Sequence, residues 1–228
     1  VYANNSGGTG VAYLTITVLE PVATVVYVPE NITLTRGEDN ASIVPMLGGG
    51  MVASWSISPE LPEGMVFDNG SITGVPLVNS TNTTYTVTAL NSGGTAIAFL
   101  NITVVEPVAV LTFDERFFGT RGETLFNATV NNTGGTVATW EVEPALPDGV
   151  GLWDGWLYGT PSVNLSETTF TIWANNSGGS ANITFTIEVI EPVVIIDYPE
   201  AEVVLVNGVT RGRLIPVLGG GVADNWSI

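Results

Sequence analysis

Trp55-Ser-Ile-Ser-Pro-Glu-Leu-Pro-Glu-Gly64, then Asn69-Gly-Ser-Ile-Thr-Gly-Val-Pro76, then Tyr85-Thr-Val-Thr-Ala-Leu-Asn-Ser-Gly-Gly94 is the stretch that decides the fold. It returns further along as Trp140, Pro144, Leu146-Pro-Asp-Gly149, Gly155, Gly159-Thr-Pro161 and Thr171-Ile-Trp-Ala-Asn-Asn-Ser-Gly-Gly179, at a spacing of 85. Glu20-Pro21, Glu106-Pro107 and Glu191-Pro192 recur at 86 and 85, as do the Ser-Gly-Gly turns that start at Ser6, Ser92 and Ser177. Trp55, Trp140 and Trp226 keep the same period. A fixed period of this kind marks a tandem array. Residues 22–107 and 108–192 are two whole units. Residues 1–21 read as the end of a preceding unit, its strands F and G. Residues 193–228 read as the start of a following one, strands A to C.

Each unit reads as β. The run 180–190 alternates, with Ile183, Phe185, Ile187 and Val189 on one face and Asn182, Thr184, Thr186 and Glu188 on the other. Such a period of two belongs to a half-buried strand. In the first whole unit Ala98, Leu100, Ile102 and Val104 take the inward face. Asn69-Gly70 and Asp154-Gly155 are hairpin turns. The strands expected are A 22–35 (broken near Pro29), B 40–46, C 51–58, D 65–68, E 71–73, F 83–90 and G 95–105. No sustained helical period occurs. The fold class expected is all-β: tandem immunoglobulin-like antiparallel sandwiches of about 85 residues with little or no helix. Trp55 and Trp140 on strand C are the expected core residues.

Composition removes several kinds of chemistry. The 228 residues include no His and no Cys. That excludes His-based nucleophile systems, the usual zinc sites and disulfides. All five cations are Arg, so Schiff-base chemistry has no lysine. A net charge of −17 disfavours nucleic acid and anionic lipid. No apolar run is long enough for a membrane-spanning helix. No carboxylate pair recurs or forms a recognisable site, so an enzyme within these residues is not expected.

The quoted stretches resemble the "putative Ig" repeats of bacterial and archaeal cell-surface proteins, relatives of cadherin-like sandwiches. The resemblance covers the whole chain. It implies service as a stalk, an adhesin rod or a cell-envelope layer. Cadherin kinship raises the matter of Ca²⁺, which needs six to eight clustered oxygens. No Asp-x-Asp occurs, and Glu20, Glu106 and Glu191 each stand alone at a junction. Neither Ca²⁺ nor any other cofactor is therefore expected.

The densest chemical signal is Asn-x-Ser/Thr, the N-glycan acceptor pattern. It occurs at Asn4, Asn31, Asn40, Asn69, Asn79, Asn82, Asn101, Asn127, Asn131, Asn164, Asn175, Asn182 and Asn225, which are 13 of the 18 asparagines. Ser and Thr together are 41 residues. At that frequency chance alone would supply about three acceptors. Asn101 and Asn182 are expected on the outward side of strand G. Asn4, Asn79, Asn82 and Asn175 are expected in loops. A glycan coat would also supply the solubility that a charged content of only 12% does not. Dense acceptors, acidity and missing cysteine together suggest an extracellular, archaeal cell surface.

Three further expectations concern particular residues. Arg36, Arg121 and Arg211 share one Thr-Arg-Gly turn. Arg36 is expected to reach Glu106, and Arg121 to reach Glu191, bracing the joint where one unit runs into the next. Tyr13 and Phe99 share an outward position on strand G and are candidates for lateral contact with a neighbouring chain or a glycan. Trp153, Trp156 and Tyr158 form the best aromatic cluster for a sugar-binding surface.

The function expected is structural: a rigid rod of Ig-like repeats whose partners are copies of itself and covalent N-glycans. Two rivals stand beside it. One is an adhesin stalk binding carbohydrate or another cell. The other is an accessory region of a larger secreted enzyme. The incomplete units at the two ends are expected to belong to a longer protein, and strand exchange between copies is the alternative.

Overall fold

Alternating β-branched residues and glycine turns give strands throughout. The computed structural model describes residues 1–198, 207 and 215–227. It divides into two units, Val1–Glu106 and Pro107–Ile228. Arg211 lies outside the described residues.

The first unit opens with a hairpin of β1 (Tyr2–Asn5) and β2 (Gly8–Val11). The remaining strands are β3 (Thr24–Val26), β4 (Asn31–Thr35), β5 (Ala41–Ile43), β6 (Met46–Gly48), β7 (Ser54–Ser58), β8 (Met65–Asp68), β9 (Ser71–Gly74), β10 (Ser80–Asn91) and β11 (Gly94–Val105). One sheet has the order β4-β11-β10-β7, and the facing strands run β5-β9-β8 with β3 paired to β6.

The expected strand A is two strands. It pairs antiparallel with β6 through β3, then crosses after Pro29 and lies parallel to β11 through β4, with Asn31 opposite Asn101. Each whole unit therefore holds one parallel pair in an otherwise antiparallel sandwich. Strand B is also two pieces. Val44-Pro45 separates them, since proline has no N–H to give a ladder.

The second unit repeats this plan. Its strands are β12 (Leu111–Thr112), β13 (Arg116–Thr120), β14 (Phe126–Thr129), β15 (Asn131–Asn132), β16 (Thr139–Glu143), β17 (Val150–Trp153), β18 (Trp156–Gly159), β19 (Leu165–Asn176) and β20 (Gly179–Ile190). Sheets β13-β20-β19-β16 and β14-β18-β17 face each other. A further pair, β21 (Val194–Asp197) and β22 (Val217–Gly220), follows.

Between the sheets lie Tyr27, Ile72, Val87, Leu100 and Ile102 in the first unit, and Leu157, Phe170, Ile172, Phe185 and Ile187 in the second, all fully buried. Each such side chain contributes about 1.5–3 kcal/mol. Phe185 meets Phe113 and Phe117 edge-on, at centroid distances of 5.3 and 5.7 Å. Trp55 and Trp140 are only half-buried, contrary to their expected place inside the core. They lie at its margin because each indole covers the glycine of a hairpin turn. A Cβ on Gly70 would stand 2.8 Å from Trp55 Cη2, and one on Gly155 would stand 2.9 Å from Trp140 Cζ2.

Candidate functional site

The parallel pairing of β4 with β11 brings the Thr35-Arg36-Gly37 turn beside the end of β11. Arg36 N–H donates to Val105 O at 2.8 Å. Its guanidinium then meets Glu106 in two bonds, Nε to Oε2 at 2.8 Å and Nη2 to Oε1 at 2.7 Å. Asn79 Nδ2 also donates to Oε2, at 2.7 Å. Glu106 is 5% exposed, so its carboxylate depends on these donors. The hydrogen bond to Glu106 and its charge hold the Arg36 guanidinium more firmly protonated than usual. Two-pronged Arg–carboxylate pairs fix orientation as well as energy.

In the second unit Arg121 N–H donates to Ile190 O at 2.9 Å, and its Nη2 reaches Glu191 Oε1. Asn164 Nδ2 donates to Glu191 Oε2. Here the arginine grips with one nitrogen, and its buried Nε meets no acceptor among the described residues. The Asn164 and Arg121 bonds hold the Glu191 carboxyl below the usual carboxylate range. Glu191 Oε1 takes a further bond from Val222 N–H, at 3.3 Å. Glu20 does the same with Met51 N–H, at 3.3 Å. Both donors stand 31 residues after their glutamate (51 − 20 and 222 − 191), just after a run of three glycines in the sequence repeat that begins there.

Those turns are glycine because backbone occupies the place of a side chain. A Cβ on Gly50 would lie 2.2 Å from Pro21 O, and one on Gly221 would lie 2.0 Å from Pro192 O. Asn91 and Asn176 complete the arrangement, and the sequence reading did not single them out. Asn91 Nδ2 donates to Pro21 O at 2.8 Å while its Oδ1 accepts from Gly93 and Gly94 N–H. Asn176 repeats this on Pro107, Gly178 and Gly179. The available signal was an Asn before every Ser-Gly-Gly turn, at 5, 91 and 176, that is never an acceptor pattern.

Eleven of the 13 acceptor asparagines are exposed, and Asn101 and Asn175 are half-buried. Asn79 and Asn164 lie in loops, and Asn40 and Asn69 lie in turns or connections. Asn4, Asn82 and Asn175 lie within strands rather than in loops: the ladders run up to Asn5↔Gly8 and Asn176↔Gly179 around two-residue turns, and β10 begins at Ser80 with Asn82 inside its register shift. Asn101 Nδ2 donates to Asn31 Oδ1 at 2.9 Å, and Thr84 Oγ1 donates to Asn101 Oδ1 at 2.6 Å. Asn131 and Asn175 make long side-chain bonds, to Thr112 and to Thr139 and Glu141. Asn182 and Asn225 are open to solvent.

Phe99 stands on the outer face of β11, opposite Thr86, and is 60% exposed. Tyr13 is 95% exposed but lies past the end of β2, because β1 supplies a ladder only up to Val11. Trp153, Trp156 and Tyr158 share the outer face of β17 and β18. Trp156 and Tyr158 lie ring against ring, with centroids 4.9 Å apart. Among the described residues no group of three or more acids is placed to hold a metal ion, and no helix is long and apolar enough to cross a membrane.

Residues 21–105 match the family described as "Putative Ig domain". Among the described residues the fold is all-β, built of Ig-like sandwich repeats. Among solved structures, Drosophila OTK extracellular domains 3–5 are similar over 73% of this chain and 62% of that one, at 18% identity and a TM-score of 0.46. The N-terminal four Ig domains of Dscam1 isoform 9.44 are similar over 81% and 49%, at 14% identity and a TM-score of 0.49. Sidekick-1 immunoglobulin domains 1–4 are similar over 83% and 57%, at 16% identity and a TM-score of 0.42. The chain thus spans less than two thirds of the length of each. No curated protein matches it.

Proposed function

We infer that this chain is a stretch of a structural cell-surface glycoprotein. Its Ig-like repeats, bounded at 22–107 and 108–192, form a stiff rod that packs with copies of itself into an extracellular filament or an S-layer-like envelope. The observation that carries this reading is the recurring Glu-Pro exit. Arg36 and Asn79 hold Glu106, Arg121 and Asn164 hold Glu191, and Glu20 and Glu191 each take a backbone N–H from the glycine turn that follows. A strand that leaves one repeat through such a clamp has no slack linker to bend. Exposure of most acceptor asparagines supports a glycan coat over this rod.

Electron microscopy and glycopeptide mass spectrometry of surface material from the native source test the reading. It predicts ordered fibres or a lattice containing this chain, with most of the 13 asparagines occupied. A dispersed protein with bare asparagines would overturn it.

A further inference from the structure

The outer face of the β14-β18-β17 sheet carries an exposed aromatic shelf in the second unit alone. Trp153 is 67% exposed, and Trp156 and Tyr158 are each 39% exposed. The equivalent positions in the first unit are Asp68, Ser71 and Thr73, so the fold itself does not require these rings. Something else accounts for three large rings facing outward, since apolar faces of this kind mark a binding partner.

An acceptor asparagine sits on the same shelf. Asn127 stands directly opposite Tyr158 in the ladder, and Thr129, the hydroxyl residue of its acceptor pattern, stands opposite Trp156. The first unit has Ser42 in place of Asn127, so neither this acceptor asparagine nor the three rings recurs at the equivalent positions there. Trp156 Nε1 donates to Asn127 Oδ1 at 2.8 Å. An indole N–H can only donate, so the bonded atom is the oxygen. Among the described residues, Asn127 Nδ2 has no hydrogen-bond partner. Nδ2 is the atom that carries an N-glycan. Gly151 clears the space on the far side, where a Cβ would stand 2.8 Å from Tyr158 Cζ. Tyr158 therefore lies over Gly151 while Trp156 lies against the asparagine.

We propose that Asn127 carries an N-glycan whose first sugars lie on the Trp156–Tyr158 shelf. This rests on the glycoprotein reading above. In the transfer Nδ2 loses one proton, the C1–O bond of a phosphate-activated oligosaccharide breaks, and an Nδ2–C1 bond forms. The phosphate leaves with the C1–O electrons. Nδ2 keeps one hydrogen, and the Trp156 bond to Oδ1 survives. That bond fixes the amide, so the sugar attached to Nδ2 leaves the sheet beside the indole. The C–H face of a pyranose is apolar and covers aromatic carbon that water otherwise wets.

The test is hydroxyl-radical footprinting of dilute protein, read by peptide mass spectrometry, with glycopeptides quantified in the same digest. Three samples are compared: native glycoprotein, the same chain from a host without N-glycosylation, and Thr129→Ala from the native host. Thr129→Ala removes the acceptor pattern but keeps the Asn127–Trp156 bond. The proposal predicts an occupied Asn127 and several-fold slower oxidation of Trp156 and Tyr158 in the native sample alone, with Phe118 unchanged. An occupied Asn127 with unprotected rings would overturn the shelf and leave the glycan. Protection that persists in Thr129→Ala would assign the shelf to another occupant, a second copy of the chain. A bare Asn127 would end the proposal whatever the other asparagines carry.

Discussion

The Tyr27 hydroxyl donates to the Gly70 carbonyl at 2.6 Å, tying the start of strand A to the Asn69-Gly70 turn across the sandwich. In the second unit the equivalent Gly155 carbonyl accepts instead from Val130 N–H, at 2.8 Å. The two solutions exclude each other by composition. Val130 is replaced in the first unit by Pro45, which has no N–H, and Tyr27 is replaced in the second by Phe113, which has no hydroxyl. The two units thus satisfy equivalent carbonyls with different donors. Tyr27→Phe should therefore destabilise the first unit by about 1 kcal/mol, and Tyr27→Phe with Pro45→Val should regain much of that loss. Denaturant unfolding of the single and double variants measures the coupling. Equal stability of the two variants would show that the donors are unrelated.

Burial also pushes the Tyr27 hydroxyl up to about 12, and burial raises Tyr85 as well. A group with a raised folded value stabilises fully below its unfolded value near 10 and loses that contribution as pH climbs toward 12. Thermal melts between these limits should fall more steeply for the parent than for Tyr27→Phe.

Gly70 has φ +83° and supports the Trp55 ring, whereas Gly37 has φ +73° with nothing within 4 Å of a Cβ. Gly37→Ala should cost about 1–2 kcal/mol, the penalty for a left-handed residue. Gly70→Ala should cost about 1–3 kcal/mol more, because the indole must move. Paired urea midpoints for the two variants separate the contributions, and a Trp55 fluorescence shift should accompany Gly70→Ala alone.

The two arginine clamps should differ in strength. The Glu106 side chain is 6% exposed and doubly gripped, while that of Glu191 is 30% exposed and singly gripped. Arg36→Ala should therefore lower the melting temperature more than Arg121→Ala, as less water reaches the abandoned carboxylate. The opposite order would show that the clamp does not secure Glu106.

Acid should loosen the second exit. Glu191 is held below the usual carboxylate range, so its contribution is complete above that range and is lost below it, as pH falls through the lowered folded value. Hydrogen exchange at Val222, whose N–H bonds to this carboxylate, should accelerate over that window in the parent and be insensitive to it in Glu191→Gln.

Much of this was legible in the chain. Turn residues and alternation located the sandwich strands to within a few positions, since a period of two and Asn-Gly turns act locally. Ala98, Leu100, Ile102 and Val104 are all buried. The crossing of strand A between sheets was not legible. Val25 and Ile32 look alike in composition, and only the pairing partner reveals that one serves β6 and the other β11. Tyr27 passed unnoticed because its role depends on Pro45, which is distant in sequence. Asn91 and Asn176 were hidden among acceptor asparagines of identical chemistry.

The proposed function requires repeats joined through Glu-Pro exits to behave as a rod. The chain has no cysteine, so Glu63→Cys and Ser180→Cys would place one spin label in each unit without competing thiols. Pulsed electron–electron double resonance on the doubly labelled protein measures the spread of distances between them. The account predicts a single narrow distribution that broadens when Arg36→Ala opens the first clamp. A broad distribution in the unaltered protein, unchanged by Arg36→Ala, would contradict it.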